Sequence, residues 1–170
     1  MGLVVRAKSE GGLAYSVSLT QRLDESGVFR QPGLAEGVAD LEISSDRFAA
    51  CSFEGIKLEN EVVTSLEVRF AAGATLGVHV YGADGKPFTD ATVSIRRPGG
   101  AKVWCGYPGR FGTVVRKSSF EADMDGNVVF ERVPAGAIEI LVEAGGYASV
   151  SETLALVDGT EQFVRIELRK

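Results

Sequence analysis

The stretch DMDGNVVFERVPAGAIEILVEAGGY, residues 123–147, decides the fold class of this chain. Within it, Ile138, Ile140 and Val142 fall on one face of an extended segment, and the neighbouring glutamates fall on the opposite face. The segment FVRIELRK at 163–170 alternates in the same way. This period of two is typical of half-buried strands. No stretch sustains the spacing of an amphipathic helix, and 21 glycines supply turns. The sequence therefore predicts an all-β protein.

The first five residues of that stretch, DMDGN, allow two interpretations. An Asp-Gly pair closes a hairpin when Gly126 adopts a positive φ, which other residues resist. A calcium loop would instead need six to eight oxygen ligands and a distal bidentate glutamate. Asp123 and Asp125 supply two carboxylates, and Glu131 does not stand at the closing position. We therefore favour the turn, with the metal site as the alternative.

A second copy of the pattern lies upstream. Residues 26–48 align with residues 125–147 without a gap, and the apolar faces stay in phase, although a slip of one residue would invert them. The segment Ser65–Phe70 also matches a late strand, VRIELR at 164–169. The matched positions include Gly27 with Gly126, Gly37 with Gly136 and Phe48 with Tyr147. We expect two tandem small antiparallel Greek-key-type β-sandwiches of six or seven strands each.

The boundary between the two repeats is expected near Ala71–Thr75, so that the first repeat covers residues 1–72 and the second covers residues 73–170. A repeat of this length is long enough to own a core. The linker is short and is not rich in proline or serine. We therefore expect the two sandwiches to be held close to each other.

The segment GVHVYGADGKPFTDATVSI at 77–95, followed by residues 123–147, resembles the carboxypeptidase regulatory-like repeat, a transthyretin-like (prealbumin-like) sandwich of Ig-like type. The shared features are a D-x-G-x-P turn, a V-x-I strand, a D-x-x-G turn, a V-P-A-G corner and a glycine–aromatic pair. Residues 76–169 match most of this pattern, and residues 2–70 match it more loosely. The resemblance implies an accessory module of peptidases, adhesins, carbohydrate-active proteins or outer-membrane receptors, and it favours an extracytoplasmic or cell-surface location.

Composition and ligand types exclude several functions. A net charge of −5 argues against a nucleic-acid partner, and the longest apolar run is too short to span a membrane. The N-terminus has no signal-peptide layout, so either the native protein stays in the cytosol or a leader has been removed. His79 is the single histidine, and it lies on the strand face opposite Val78 and Val80. We expect no enzyme activity, no metal and no cofactor.

The two cysteines, Cys51 and Cys105, have no CxxC spacing that would suit a metal or a redox site. We expect two free, partly buried thiols, because free cysteine is often buried. One disulfide bridge between them is the alternative.

One segment breaks the repeat, an insertion at about 97–122. It holds the single tryptophan, Trp104, on a chain rich in glycine and aromatic residues, beside a basic cluster of Arg96, Arg97, Lys102, Arg110, Arg116 and Lys117. Aromatic residues on a loop of a rigid sandwich often form a binding surface. The alternative to a binding surface is that residues 113–122 form an extra hairpin. Trp104 would then fill the end of the core or the domain interface.

The candidate binding residues are Trp104, Tyr107, Arg110 and Phe111, with a protein as the first partner and a glycan as the second. The sequence thus indicates a non-catalytic structural or protein-interaction module, such as a spacer, an adhesin-like segment or an assembly component. A carbohydrate-binding module that uses the aromatic loop is the alternative function.

Overall fold

The computed structural model describes residues 2–8, 14–20, 27–28, 30–45, 47–108 and 114–170. These residues form strands and turns and contain no helix, which confirms the all-β prediction. The strands of the first half are β1 (Gly2–Lys8), β2 (Ala14–Thr20), β3 (Gly37–Ser44) and β4 (Cys51–Leu58). Those of the second half are β5 (Ala74–Gly82), β6 (Ala91–Arg96), β7 (Cys105–Pro108), β8 (Val114–Lys117), β9 (Ser119–Glu121), β10 (Asn127–Val133), β11 (Gly136–Ala144), β12 (Val150–Leu156) and β13 (Glu161–Leu168).

The first half forms one antiparallel sheet in the order β2-β1-β3-β4. Ala39 and Ile43 of β3 are the buried centre of a small apolar cluster. Six or seven strands were predicted, but the described part of this half contains four. The prediction of a strand at Ser65–Phe70 is wrong, because these residues form no strand. Their alternation has another cause, because half-buried Val68 and Phe70 pack on the cluster without joining a ladder.

The second half forms two packed sheets, β10-β5-β13 and β12-β11-β6-β9, with β7 and β8 as a separate hairpin. The predicted inward residues Ile138, Ile140 and Val142 are all fully buried, as the alternation of β11 requires. They share the core with alternate residues of the neighbouring strand β6 and of the opposing sheet, including Leu76, Val78, Val80, Val93, Ile95, Phe130 and Leu168. This half therefore has the layered core of a β-sandwich.

One strand pair corrects the antiparallel prediction. Strand β13 runs parallel to β5, with Glu161 opposite Thr75 and Leu168 opposite Gly82. The cause is the position of the turn after β12, where the amide of Thr75 donates to the carbonyl of Thr160 at 2.9 Å. Since β13 starts beside the start of β5, it must run in the same direction.

Two aligned pairs of glycines have similar backbone conformations. The aligned glycines Gly27 and Gly126 have φ values of 77° and 74°, and Gly37 and Gly136 have 140° and 110°. Both β3 and β11 begin at the second of these positions, and each pairs with the strand that follows it. The other partners differ, because β3 pairs with β1 whereas β11 pairs with β6. A common sandwich topology for the two halves thus stays a prediction.

Candidate interaction surface

The insertion starts with a tight turn after β6. The amide of Arg97 donates to the carbonyl of Ala101 at 2.7 Å, and the amide of Gly100 donates to the carbonyl of Arg97 at 2.9 Å. The chain then forms the β7–β8 hairpin, in which Cys105 lies opposite Lys117. Strand β9 follows at once and joins the edge of the sheet beside β6. Of the predicted hairpin segment, Val114–Lys117 thus forms one strand of an extra hairpin, and Ser119–Glu121 forms a sheet edge.

Trp104 lies at the base of this hairpin. Its neighbours Val103 and Cys105 are buried in the core, whereas Trp104 is half-buried. The ammonium nitrogen of Lys102 lies 5.9 Å from the centroid of the indole ring, which is a cation–π distance. The alternation of an extended chain points Trp104 away from the side that its two neighbours occupy. The side chain is therefore available in part to a partner.

The other candidate residues are described less fully. Tyr107 lies in β7 opposite Val115, and only its backbone is described. Arg110 and Phe111 lie outside the described residues. A surface made of Trp104 and these three residues accordingly stays a prediction.

The fold itself uses part of the predicted basic cluster. Arg97 Nη1 donates to the carbonyls of Ala135 and Ala137 at 3.2 and 3.1 Å, so it holds the corner before β11. The ammonium group of Lys117 lies 5.4 Å from the Phe120 ring centroid. The sequence did not indicate the contacts of Arg97, because they join residues that are distant along the chain.

Arg96 is also engaged, in a polar group on the outer face of the second sheet. Its Nε and Nη2 donate to the two carboxylate oxygens of Glu139 at 2.9 and 2.8 Å. The hydroxyl of Ser151 donates to the same carboxylate. These hydrogen bonds, first from Arg96 and then from Ser151, lower the pKa of Glu139 from 4.5 to about 2. Glu139 is thus held ionised, as a structural partner and not as a proton donor near neutral pH.

The low pKa of Glu139 predicts a specific loss of stability in acid. A carboxyl group whose pKa is lowered by folding stabilises the fold above its unfolded value of 4.5, and this contribution is lost as the pH falls towards about 2. We expect the melting temperature of the Glu139→Gln variant to fall less than that of the unchanged chain as the pH is lowered from 4.5 to about 2. Thermal unfolding followed by circular dichroism at several pH values measures the difference.

The matched control for that measurement is Glu161→Gln, on exposed Glu161 of β13. This control should keep the acid sensitivity of the unchanged chain. Equal acid sensitivity in Glu139→Gln and the unchanged chain would contradict the assignment.

Asp123 shows how the DMDGN stretch is used. One carboxylate oxygen, Oδ1, accepts from the amides of Asp125 and Asn127 at 2.9 and 2.8 Å. The amide of Gly126 donates to the carbonyl of Asp123 at 2.9 Å. The predicted positive φ at Gly126 is confirmed. In the described part of the chain, no group of three or more His, Cys, Asp or Glu residues could hold a metal ion.

The remaining polar candidates have local partners. His79 Nδ1 lies 2.9 Å from Asn127 Oδ1, on the face of β5 opposite the core, as the alternation predicted.

Both cysteines are free, Cys51 half-buried and Cys105 buried, which confirms the prediction of two free thiols. Burial raises the pKa of the Cys105 thiol to about 12, so this group is a poor nucleophile. The described residues include no apolar helix of the length that a bilayer span requires.

No model of a known protein family matches the sequence, and no curated protein matches it. A solved structure with a similar fold is the minor pilin GBS52 of the gram-positive pathogen Streptococcus agalactiae. The similarity covers 99% of this chain and 82% of that chain, with a TM-score of 0.51 and 12% identity. At this identity the similarity shows the fold alone, which is a β-sandwich architecture.

Two further structures are more distant. A streptococcal ancillary pilin has a TM-score of 0.44 and 12% identity, over 99% of this chain and 61% of that chain. The pilus 2b backbone protein of group B streptococcus has a TM-score of 0.44 and 10% identity, over 98% of this chain and 78% of that chain. The narrower resemblance to the carboxypeptidase regulatory-like repeat stays a prediction.

Proposed function

We propose that this chain is a non-catalytic structural or protein-interaction module that acts at a cell surface as a spacer or an assembly component. The fold similarity to a minor pilin supports this proposal, because that protein is by its name a pilus component. The polar side chains support it as well. The partner of His79 is an amide, and Glu139 is paired with an arginine. We further propose two units of the carboxypeptidase regulatory-like type, with the boundary at residues 72–73.

The observation that carries the spacer role is the junction between the two halves, at Gly73. Its amide donates to Asp158 Oδ1 at 2.6 Å, and its carbonyl accepts from the amide of Gly159 at 3.0 Å. A methyl group at Gly73 would lie 2.7 Å from backbone atoms of Arg132 and 3.0 Å from the Cβ of Ala49. Residues of both halves therefore pack against the backbone of the linker. Such contacts fix the orientation of one half relative to the other.

Small-angle X-ray scattering tests this rigidity. We expect the unchanged chain to give a narrow distribution of radii of gyration. A variant with a short Gly-Ser insertion after Gly73 should give a broad distribution, because such linkers behave as flexible coils. If the two proteins scatter alike, the spacer role is wrong.

We propose that the partner binds at Trp104, Tyr107, Arg110 and Phe111. Half-buried Trp104 suits this role, because tryptophan is frequent among the residues that contribute most of the binding energy at protein interfaces. We expect Trp104→Ala to weaken capture of a protein from a cell-envelope extract by tenfold or more, while stability changes by about 1–2 kcal/mol. Quantitative pull-down and chemical unfolding measure the two effects.

The control for this surface is Phe163→Ala, an exposed aromatic residue of β13 that should leave capture unchanged. A glycan array with the same variants examines the carbohydrate-binding alternative. Intact capture together with a loss of about 3 kcal/mol or more in Trp104→Ala would identify the residue as part of the core and end this proposal.

A further inference from the structure

A surface pocket of 580 Å³ lies at the end of the second half that is remote from Gly73. The turn after β5 and the turn between β11 and β12 form its walls, and the end of β13 completes it. Both turns belong to motifs of the sequence, DGKP at 84–87 and the glycine–aromatic pair at 146–147. The proposed function makes no use of either motif.

The pocket combines aromatic rings with amino groups. The rings of Phe88 and Tyr147 meet edge to face, with centroids 4.9 Å apart. Lys170 Nζ lies 5.9 Å from the centroid of the Tyr147 ring. The ammonium group of Lys86 lies at the rim, 3.8 Å from the carboxylate of Asp84, and both side chains are largely exposed. The pocket therefore has an apolar floor, two cationic groups and one carboxylate.

A turn of the first half has the complementary character. The amide of Val62 donates to the carbonyl of Glu59 at 3.3 Å and closes a turn after β4. The valines of this turn are unusually open, with Val62 exposed by 58% and Val63 by 89%. Glu59 and Glu61 are exposed beside them, and Glu61 has a φ of 60°, a conformation that is uncommon for a residue other than glycine. The turn thus presents two carboxylates, one of which is paired with Lys57 of β4 at 2.8 Å, and two apolar side chains to solvent.

The turn belongs to the first half of the chain and the pocket belongs to the second half, so one copy carries both surfaces at separate places. Strand β4 starts near the junction, where the amide of Ala49 donates to the carbonyl of Ala71, and it runs away from the junction to the Glu59 turn. Strand β5 starts beside Gly73 and runs to the pocket. A contact between the turn of one copy and the pocket of another copy joins two different surfaces, so it is heterologous. Such an interface repeats and can extend into a filament.

We propose that residues 59–63 of one copy dock into the pocket of a second copy of this chain. The glutamates face Lys86 and Lys170, and the valines pack on Phe88 and Tyr147. This inference rests on the proposed function as an assembly component. The contact area of one turn is small, so the association is weak, and it weakens further at high salt because its ion pairs are at the surface.

Charge reversal tests the docking on the full chain. Sedimentation velocity from about 10 μM to 1 mM covers the weak range of affinity. We expect the unchanged chain to associate as its concentration rises. The pocket variant Lys86→Glu with Lys170→Glu and the turn variant Glu59→Lys with Glu61→Lys should each stay monomeric. An equimolar mixture of the two variants should associate again, because each reversed site then meets its opposite charge.

Two further variants separate this contact from general charge effects. Val63→Asp should lower association tenfold or more, and Lys117→Glu, which reverses an exposed charge on the insertion, should leave association unchanged. A monomeric unchanged chain at the highest concentration, or variants that associate as the unchanged chain does, would overturn the docking. The scattering experiment on the junction reads out the spacer role independently, so a rigid monomer would leave the proposed function standing and remove this inference alone.

Discussion

Gly126→Ala should destabilise the second half by about 3 kcal/mol or more, because two costs add at this position. The residue has a φ of 74°, and the left-handed conformation costs other residues about 1–2 kcal/mol. An added Cβ would also lie 2.4 Å from the carbonyl oxygen of Val80. That contact is with backbone, which cannot move aside without disturbing the hydrogen bond from the amide of Val80 to the carbonyl of Gly126 at 2.8 Å.

The chain contains a matched control for this result in Gly85→Ala. Gly85 also follows an aspartate in a turn and has a φ of 76°, but no atom lies within 4 Å of its added Cβ. Only the conformational cost of about 1–2 kcal/mol should remain. Urea unfolding of both variants gives the comparison. Equal losses at Gly126 and Gly85 would show that the contact with Val80 has no energetic weight.

Phe130→Ala should cost about 3–5 kcal/mol, the range measured for truncation of large buried aromatic residues. Phe130 is 0% exposed at the centre of the core. Its ring meets that of Phe120 edge to face, with a centroid distance of 5.1 Å. Truncation therefore removes apolar burial and an aromatic contact and leaves a cavity between the two sheets.

The control for the core is Phe163→Ala, which removes the same side chain from the outer face of β13, where it is 74% exposed. Since little burial is lost, we expect a change within about 1 kcal/mol. Urea unfolding followed by tryptophan fluorescence measures both variants. A small effect at Phe130 would mean that the core relaxes around the cavity or that the two sheets do not pack as described.

The local structure of the second half follows from short stretches of the sequence. The alternation at 137–143 predicted which residues of β11 are buried, because side chains of an extended chain point to opposite faces in turn. The Asp-Gly pair predicted the positive φ of Gly126, because only glycine adopts it without cost. Both features depend on neighbours along the chain, so a single sequence contains all the information that they need.

The candidate surface was predictable only in part. Trp104 stood out as the single tryptophan on an insertion, and the structure places it half-buried at the base of a hairpin. Fewer of the basic residues beside it are available to a partner than the sequence suggested. Arg96 binds Glu139, and Arg97 binds the carbonyls on either side of Gly136. Which partner an arginine meets depends on the register between strands, and composition does not contain the register.

The pairing of the strands depends on contacts between distant parts of the fold. The position of Gly159 beside Gly73 sets β13 parallel to β5, a contact between residues that are far apart along the chain. In the first half, Val68 and Phe70 cover an apolar cluster without a ladder, although their alternation is that of a strand. Alternation reports which side chains are buried, and burial needs no hydrogen-bonded neighbour. Strand pairing depends instead on where distant backbone groups meet, and packing of the whole chain determines this.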